Sequence, residues 1–145
     1  MEFSDERPFY KWCSVVVNSG DSPCQRSLHV AAVYNKKLFL FGGYDGSNRV
    51  NDFYEFDFMR RNWMLIPLRG SGPSPRDRHI GVVHAQSFVI FGGYDGSTRV
   101  NDCFAFDFTT RMWRQLLSQG RGEPPTPRHS HSACVYKGCM YVFGT

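Results

Sequence analysis

The 145-residue sequence has no apolar run near the roughly 18 residues that a membrane-spanning helix needs, so no helical span is expected within it. Its start, MEFSDERPFYKW, lacks the basic opening and apolar stretch of a secretory signal. Asn-X-Ser/Thr sequons are missing as well. The five cysteines (Cys13, Cys24, Cys103, Cys134 and Cys139) are odd in number and include no CxxC pair. That usage argues against a disulfide framework and for reduced thiols in the cytoplasm or nucleus. Cys134 and Cys139 flank the turn Lys137-Gly138 and are expected diagonally across neighbouring strands rather than opposite one another. Lysine is scarce, four against thirteen arginines, and the net charge of +4 comes from arginines spread along the whole chain. With no dense basic run, nucleic acid is a poor candidate partner; arginine also suits bidentate capture of carboxylates on a protein. The sequence lacks a Gly-X-Ser-X-Gly elbow, a His-Glu-X-X-His motif and any Cys-His pair with a reason to be close. No catalytic residue, metal or cofactor is therefore expected. Helical periodicity of useful length is absent too.

What is present is a repeat. FGGYDGSNRVND, starting at Phe41, returns fifty positions later as FGGYDGSTRVND, starting at Phe91, and Phe143-Gly144 opens a third copy. Trp63 recurs as Trp113, with Trp12 about one period earlier. A histidine stands thirteen residues before each first glycine (His29, His79, His131), and an arginine sixteen before (Arg26, Arg76, Arg128). A lone functional loop would not carry tryptophans and histidines along at fixed offsets. A unit of about fifty residues is the repeat, a period that belongs to solenoids, propellers or arrays.

Inside each unit the patterns are β. Residues 28–34 and 38–41 are short apolar runs joined by Asn35-Lys36, a hairpin turn. The second runs, LFLF, FVIF and MYVF, are apolar on both faces, as in a strand covered from both sides. Residues 53–58 alternate aromatic with acidic as a half-exposed strand, and residues 63–68 make a fourth. Proline and glycine fill the connections 70–75 and 120–127 and stop strand continuation. The expected fold class is all-β: four-stranded antiparallel propeller blades. The order Arg-x-x-His, apolar strand, Phe-Gly-Gly, Asn-Asp, aromatic strand, Trp resembles the kelch repeat, from Trp12 to Gly144. The loop style is similar to that of kelch proteins related to leucine-zipper-like transcriptional regulator.

Most conspicuous residues read as scaffold. Gly42, Gly43, Gly92 and Gly93 are expected where the chain takes a positive φ or another backbone comes close; a phosphate loop would need a following helix. Trp63 and Trp113 are expected to pack between blades. Asp52 and Asp102 are expected to accept backbone N–H bonds in a turn. His29, His79 and His131 fall at equivalent positions a blade apart, too far to converge on a metal.

The loops read as the binding surface. In a four-stranded blade, the approach to strand one and the loop between strands two and three emerge on the same face. The first carries Arg26, Arg76, Arg78 and Arg128; the second carries Tyr44, Asp45, Ser47, Arg49, Tyr94, Asp95, Ser97 and Arg99. Arginine, tyrosine and serine in a ring suit protein recognition. The bland alternative pairs Arg49 and Arg99 with Asp45 or Asp95 in a solvated turn. The kelch resemblance implies a non-enzymatic interaction module, a scaffold or a substrate-recognition surface of ubiquitin-ligase adaptor type. It also implies that Pro75-Arg76-Asp77-Arg78 is similar to a segment that grips an acidic peptide.

Counting units gives a tail (1–11), an orphan outer strand of a ring-closing blade (12–17), two repeats (26–68 and 76–117) and a partial third (126–145). Propellers close with about four to eight blades, and two and a half leave faces bare. The expectation is the N-terminal part of a longer kelch protein. Self-association of open faces, or an open blade stack, is the alternative. A fragment of a propeller enzyme, with its catalytic residues on further blades, is the alternative function.

Overall fold

The computed structural model describes residues 11–119 and 122–145. Their regular structure is entirely β: β1 (Ser19–Gly20), β2 (Val30–Tyr34), β3 (Lys37–Tyr44), β4 (Arg49–Asp57), β5 (Asn62–Ile66), β6 (Ile80–His84), β7 (Ser87–Tyr94), β8 (Arg99–Asp107), β9 (Met112–Leu116), β10 (Ser132–Tyr136) and β11 (Cys139–Phe143). β2 to β5 and β6 to β9 form two antiparallel four-stranded sheets, and β10 pairs with β11 alone. The first strands β2, β6 and β10 lie side by side, so the three sheets stack like blades around an axis without closing a ring. The all-β, kelch-type, partial-propeller expectation is met.

Local chemistry sets each element. Asn35 and Lys36 both take positive φ (45° and 60°), the two-residue hairpin geometry whose twist matches the strands it joins. Cys134 pairs with Tyr141 and Cys139 with Tyr136, so the two thiols sit diagonally, as expected. Between β3 and β4 the register runs Phe41↔Phe53, then Gly43↔Val50. One residue of β3 therefore faces two of β4, Asn51 and Asp52, and the bulge re-aims both side chains. Gly42 has φ +65°, and a Cβ there would sit 3.0 Å from both the Arg76 carbonyl and the His79 ring of the next sheet. The double glycine is thus the point where consecutive blades touch, sealed by Gly43 N–H donating to the Arg76 carbonyl at 2.9 Å.

The core lies between the first two sheets. Phe39, Phe41, Phe53 and Ile66 from one meet Phe88, Ile90, Phe104, Phe106 and Trp113 from the other. Trp113 is 2% exposed, with ring centroids 5.2–5.4 Å from Phe41, Phe53 and Phe106. It packs between blades as expected. Trp63 lies on the far side of the first sheet, half-buried against Tyr54 and Phe56, where no other described sheet covers it.

Two expectations are corrected. Residues 12–17 form no strand: they run outside all sheets, with Trp12 81% exposed. A strand needs a ladder for its backbone groups, and the chain first finds one at β1, parallel to Asn62 and Trp63 of β5. The alternating strand 53–58 does not keep its acid in water. Glu55 is buried between Lys37 (2.7 Å) and Arg111 of the neighbouring sheet (3.0 Å). Burial pushes its carboxyl up, but the two cations outweigh that and hold it below the usual range.

Candidate protein-binding face

The approach loops and the β3–β4 and β7–β8 loops lie together on one face, bound by Ser27↔Tyr44 and Asp77↔Tyr94 bridges. Their tips are tight turns. Asp45 accepts N–H bonds from Ser47 and Asn48 (2.8 and 2.7 Å), and Asp95 accepts from Ser97 and Thr98 (both 2.8 Å). These donors hold both carboxyls below the usual carboxylate range. Neither aspartate pairs with Arg49 or Arg99.

The repeated arginines divide into two groups, which corrects the expectation that all of them face a partner. Arg76 is fully buried. Its guanidinium forks onto Asp102 (2.5 and 3.0 Å) and donates to the Gly92 carbonyl (3.1 Å). Arg26 does the same with Asp52 (2.5 and 2.9 Å) and Gly42 (3.2 Å), its side chain 3% exposed. The bidentate hydrogen bond to Asp52, which outweighs desolvation, raises the Arg26 pKa further. Asp52 and Asp102 are scaffold residues, but through arginine rather than through backbone N–H groups. Their bulge neighbours staple the linkers: Asn51 donates to Pro73 O and Asn101 to Pro125 O, both at 3.0 Å.

Arg49 is held between sheets. It pairs with buried Asp77 at 3.1 Å and stacks over Tyr94 (4.6 Å) and Tyr44 (5.7 Å). Arg78 shares the same aspartate at 3.1 Å. One unit later the residue after the repeated arginine is His129, not aspartate, and its ring meets Tyr94 edge-on at 6.3 Å. Arg99 accordingly makes no ion pair among the described residues and stands exposed. Ser47 and Ser97 are exposed at the turn tips, while Tyr44 and Tyr94 are half-buried. The free cationic and hydroxyl groups therefore gather at the second and third units.

The repeated histidines are packing residues. His79 lies edge-on to Phe41 at 5.3 Å, and His131 to Phe91 at 5.5 Å. No group of three or more His, Cys, Asp and Glu side chains is placed to hold a metal among the described residues. Burial first, and the Arg76 charge second, bring the His79 pKa down to about 3. Because an unfolded histidine titrates near 6.5, the unfolded chain takes up a proton below that pH while folded His79 does not. Stability from this site is complete above pH 6.5 and falls on acidification, by roughly 2 kcal/mol at pH 5. Urea melts of wild type and His79→Leu at pH 7 and pH 5 measure it; an equal pH dependence in the two proteins would refute it.

A family model described as the KLHDC2/KLHL20/DRC7 Kelch-repeats domain matches residues 9–145. The leucine-zipper-like transcriptional regulator 1 homolog of Drosophila melanogaster is 43% identical over 44 residues, 30% of this chain and 4% of that protein. Leucine-zipper-like transcriptional regulator 1 of Mus musculus and of Homo sapiens are each 51% identical over 35 residues, 24% of this chain and 4% of theirs. The matched segments thus span about 4% of the length of these curated relatives.

Proposed function

The chain belongs to the kelch-repeat proteins, whose repeats generally serve as non-enzymatic protein-interaction modules, and from that premise we propose that it binds an acidic peptide segment of a protein partner through the loop face around Arg99. The observation that carries the reading is the contrast between two equivalent arginines. Arg49 is neutralised by Asp77 and stacked on Tyr94, whereas Arg99 faces a histidine where its counterpart has an aspartate. An exposed guanidinium beside Tyr94, Ser97 and His129 offers bidentate donors and an aromatic edge to a carboxylate-bearing peptide. A scaffold, or the substrate-recognition surface of a ubiquitin ligase, is the role this supports. The five cysteines are all free thiols, which suits the cytoplasm or nucleus.

A labelled Glu-rich peptide titrated against the chain tests the reading, with a Lys-rich peptide as control. Arg99→Glu is expected to weaken binding about tenfold or more, since it replaces an attractive charge by a repulsive one. Arg114→Glu, on the outer strand β9, is expected to leave it unchanged. Equal binding by Arg99→Glu and wild type would sink the assignment.

A further inference from the structure

Three equivalent arginines sit in three equivalent cradles, and two of those cradles hold a carboxylate. Arg26 donates to the Cys24 and Gly42 carbonyls and forks onto Asp52. Arg76 donates to the Ser74 and Gly92 carbonyls and forks onto Asp102. Arg128 repeats the frame, donating to the Thr126 carbonyl (3.1 Å), the Thr126 hydroxyl (3.1 Å) and the Gly144 carbonyl (2.8 Å). Its fork meets no carboxylate among the described residues.

The same side of the third sheet is open in two further respects. β11 pairs only with β10, so its outer edge offers unpaired backbone donors and acceptors to an incoming strand. Beside it runs a groove of about 590 Å³ lined by Phe91, Cys103 and Leu116 of the second sheet and Met140 and Val142 of β11. Burial pushes the Cys103 thiol up to about 11, so it stays a protonated apolar wall.

The filled copy of this site shows what fits. On β8, the residues two and four after Asp102 are Phe104 and Phe106, paired with Ile90 and Phe88 of β7. Both aromatics turn toward the first sheet and close the space over Phe41 and Phe53. Transposed by one unit, the partners of the two aromatics are Val142 and Met140, the two β11 side chains that line the groove.

We propose that the flank of the third sheet docks an extended strand from a separate polypeptide carrying the pattern Asp-x-Φ-x-Φ, where Φ is aromatic. The strand pairs with β11, its aspartate forks onto Arg128, and its two aromatics fill the groove. This site is separate from the Arg99 face and does not rest on it.

The test is fluorescence anisotropy of the 145-residue chain with a labelled peptide having the sequence of residues 49–58, in which Asp52, Tyr54 and Phe56 supply the pattern. Saturable binding is expected. Asp→Ala in the peptide and Arg128→Ala in the chain should each weaken it about tenfold, with no further loss when combined. Arg99→Glu should leave it intact, which separates this site from the loop face. Thermal melts of Arg128→Ala should match wild type, because that arginine has no counter-charge to lose. Absence of saturable binding, or equal affinity for the Arg128→Ala chain, overturns the proposal. So does an oligomer by light scattering that the peptide cannot dissociate, which would assign the flank to a second copy.

Discussion

Asp102→Ala is expected to lose about 3–5 kcal/mol of folding stability, a large part of the roughly 5–15 kcal/mol that a domain has. The reason lies in Arg76 rather than in the aspartate. The arginine side chain is 0% exposed and the carboxylate 26% exposed, so removing Asp102 leaves a cation with no water and no counter-ion. The Gly92 and Ser74 carbonyls that also accept from Arg76 offset part of the charge but cannot neutralise it. The backbone amplifies the effect. The Arg76 carbonyl accepts from Gly43 and its N–H donates to Val50, so the residue that clamps its own sheet through Asp102 also clamps the preceding sheet. Arg76→Met combined with Asp102→Leu should recover much of the loss, since a buried ion pair exchanged for apolar residues is often near neutral. Denaturant unfolding of the two variants decides the matter. A loss below about 1 kcal/mol for Asp102→Ala would show that water reaches Arg76 and that the pair counts only as a surface salt bridge.

That clamp also marks where sequence reading stopped short. Arg26 and Asp52 are separated by 26 positions, and so are Arg76 and Asp102. Opposite charges recurring at one fixed offset in consecutive units are a pairing signal. Each residue type, read alone, pointed elsewhere: arginine to a binding surface, aspartate to a turn. The strands, the hairpin turn at Asn35-Lys36 and the double glycine were legible because they depend on local periodicity and backbone freedom, which sequence carries directly. Glu55 was not legible, because the repeat gives no warning: its counterpart is Ala105, and its partner Arg111 comes from the next sheet 56 positions away. Residues 12–17 show the opposite limit. Their apolar pattern is that of a strand, but a strand also needs a neighbour, and among the described residues the ladder starts only at Ser19. The distinction between Arg49 and Arg99 turned on a single change in the facing loop, Asp77 to His129, visible in the sequence only once the two loops are known to touch.

The two repeated tryptophans should separate sharply. Trp113→Ala is expected to cost about 3–5 kcal/mol, the range for emptying a large buried aromatic site. Trp63→Ala should cost roughly 1–2 kcal/mol, because only the part of its surface already withdrawn from water is lost. The sequence gives the pair identical roles; packing does not. Trp113 sits against Phe41 and Phe53 of one sheet and Phe88 and Phe106 of its own, so its removal loosens the contact between sheets. Trp63 meets only Tyr54 and Phe56 of its own sheet. The difference bears on binding, because Arg49 reaches across the same seam to Asp77 and Tyr94. Trp113→Ala should therefore also weaken the acidic peptide at the Arg99 face, whereas Trp63→Ala should not. Urea midpoints and peptide titrations on both variants provide the check. Equal losses would mean that each tryptophan stabilises its own sheet alone, and that the loops of neighbouring sheets are not held as one surface.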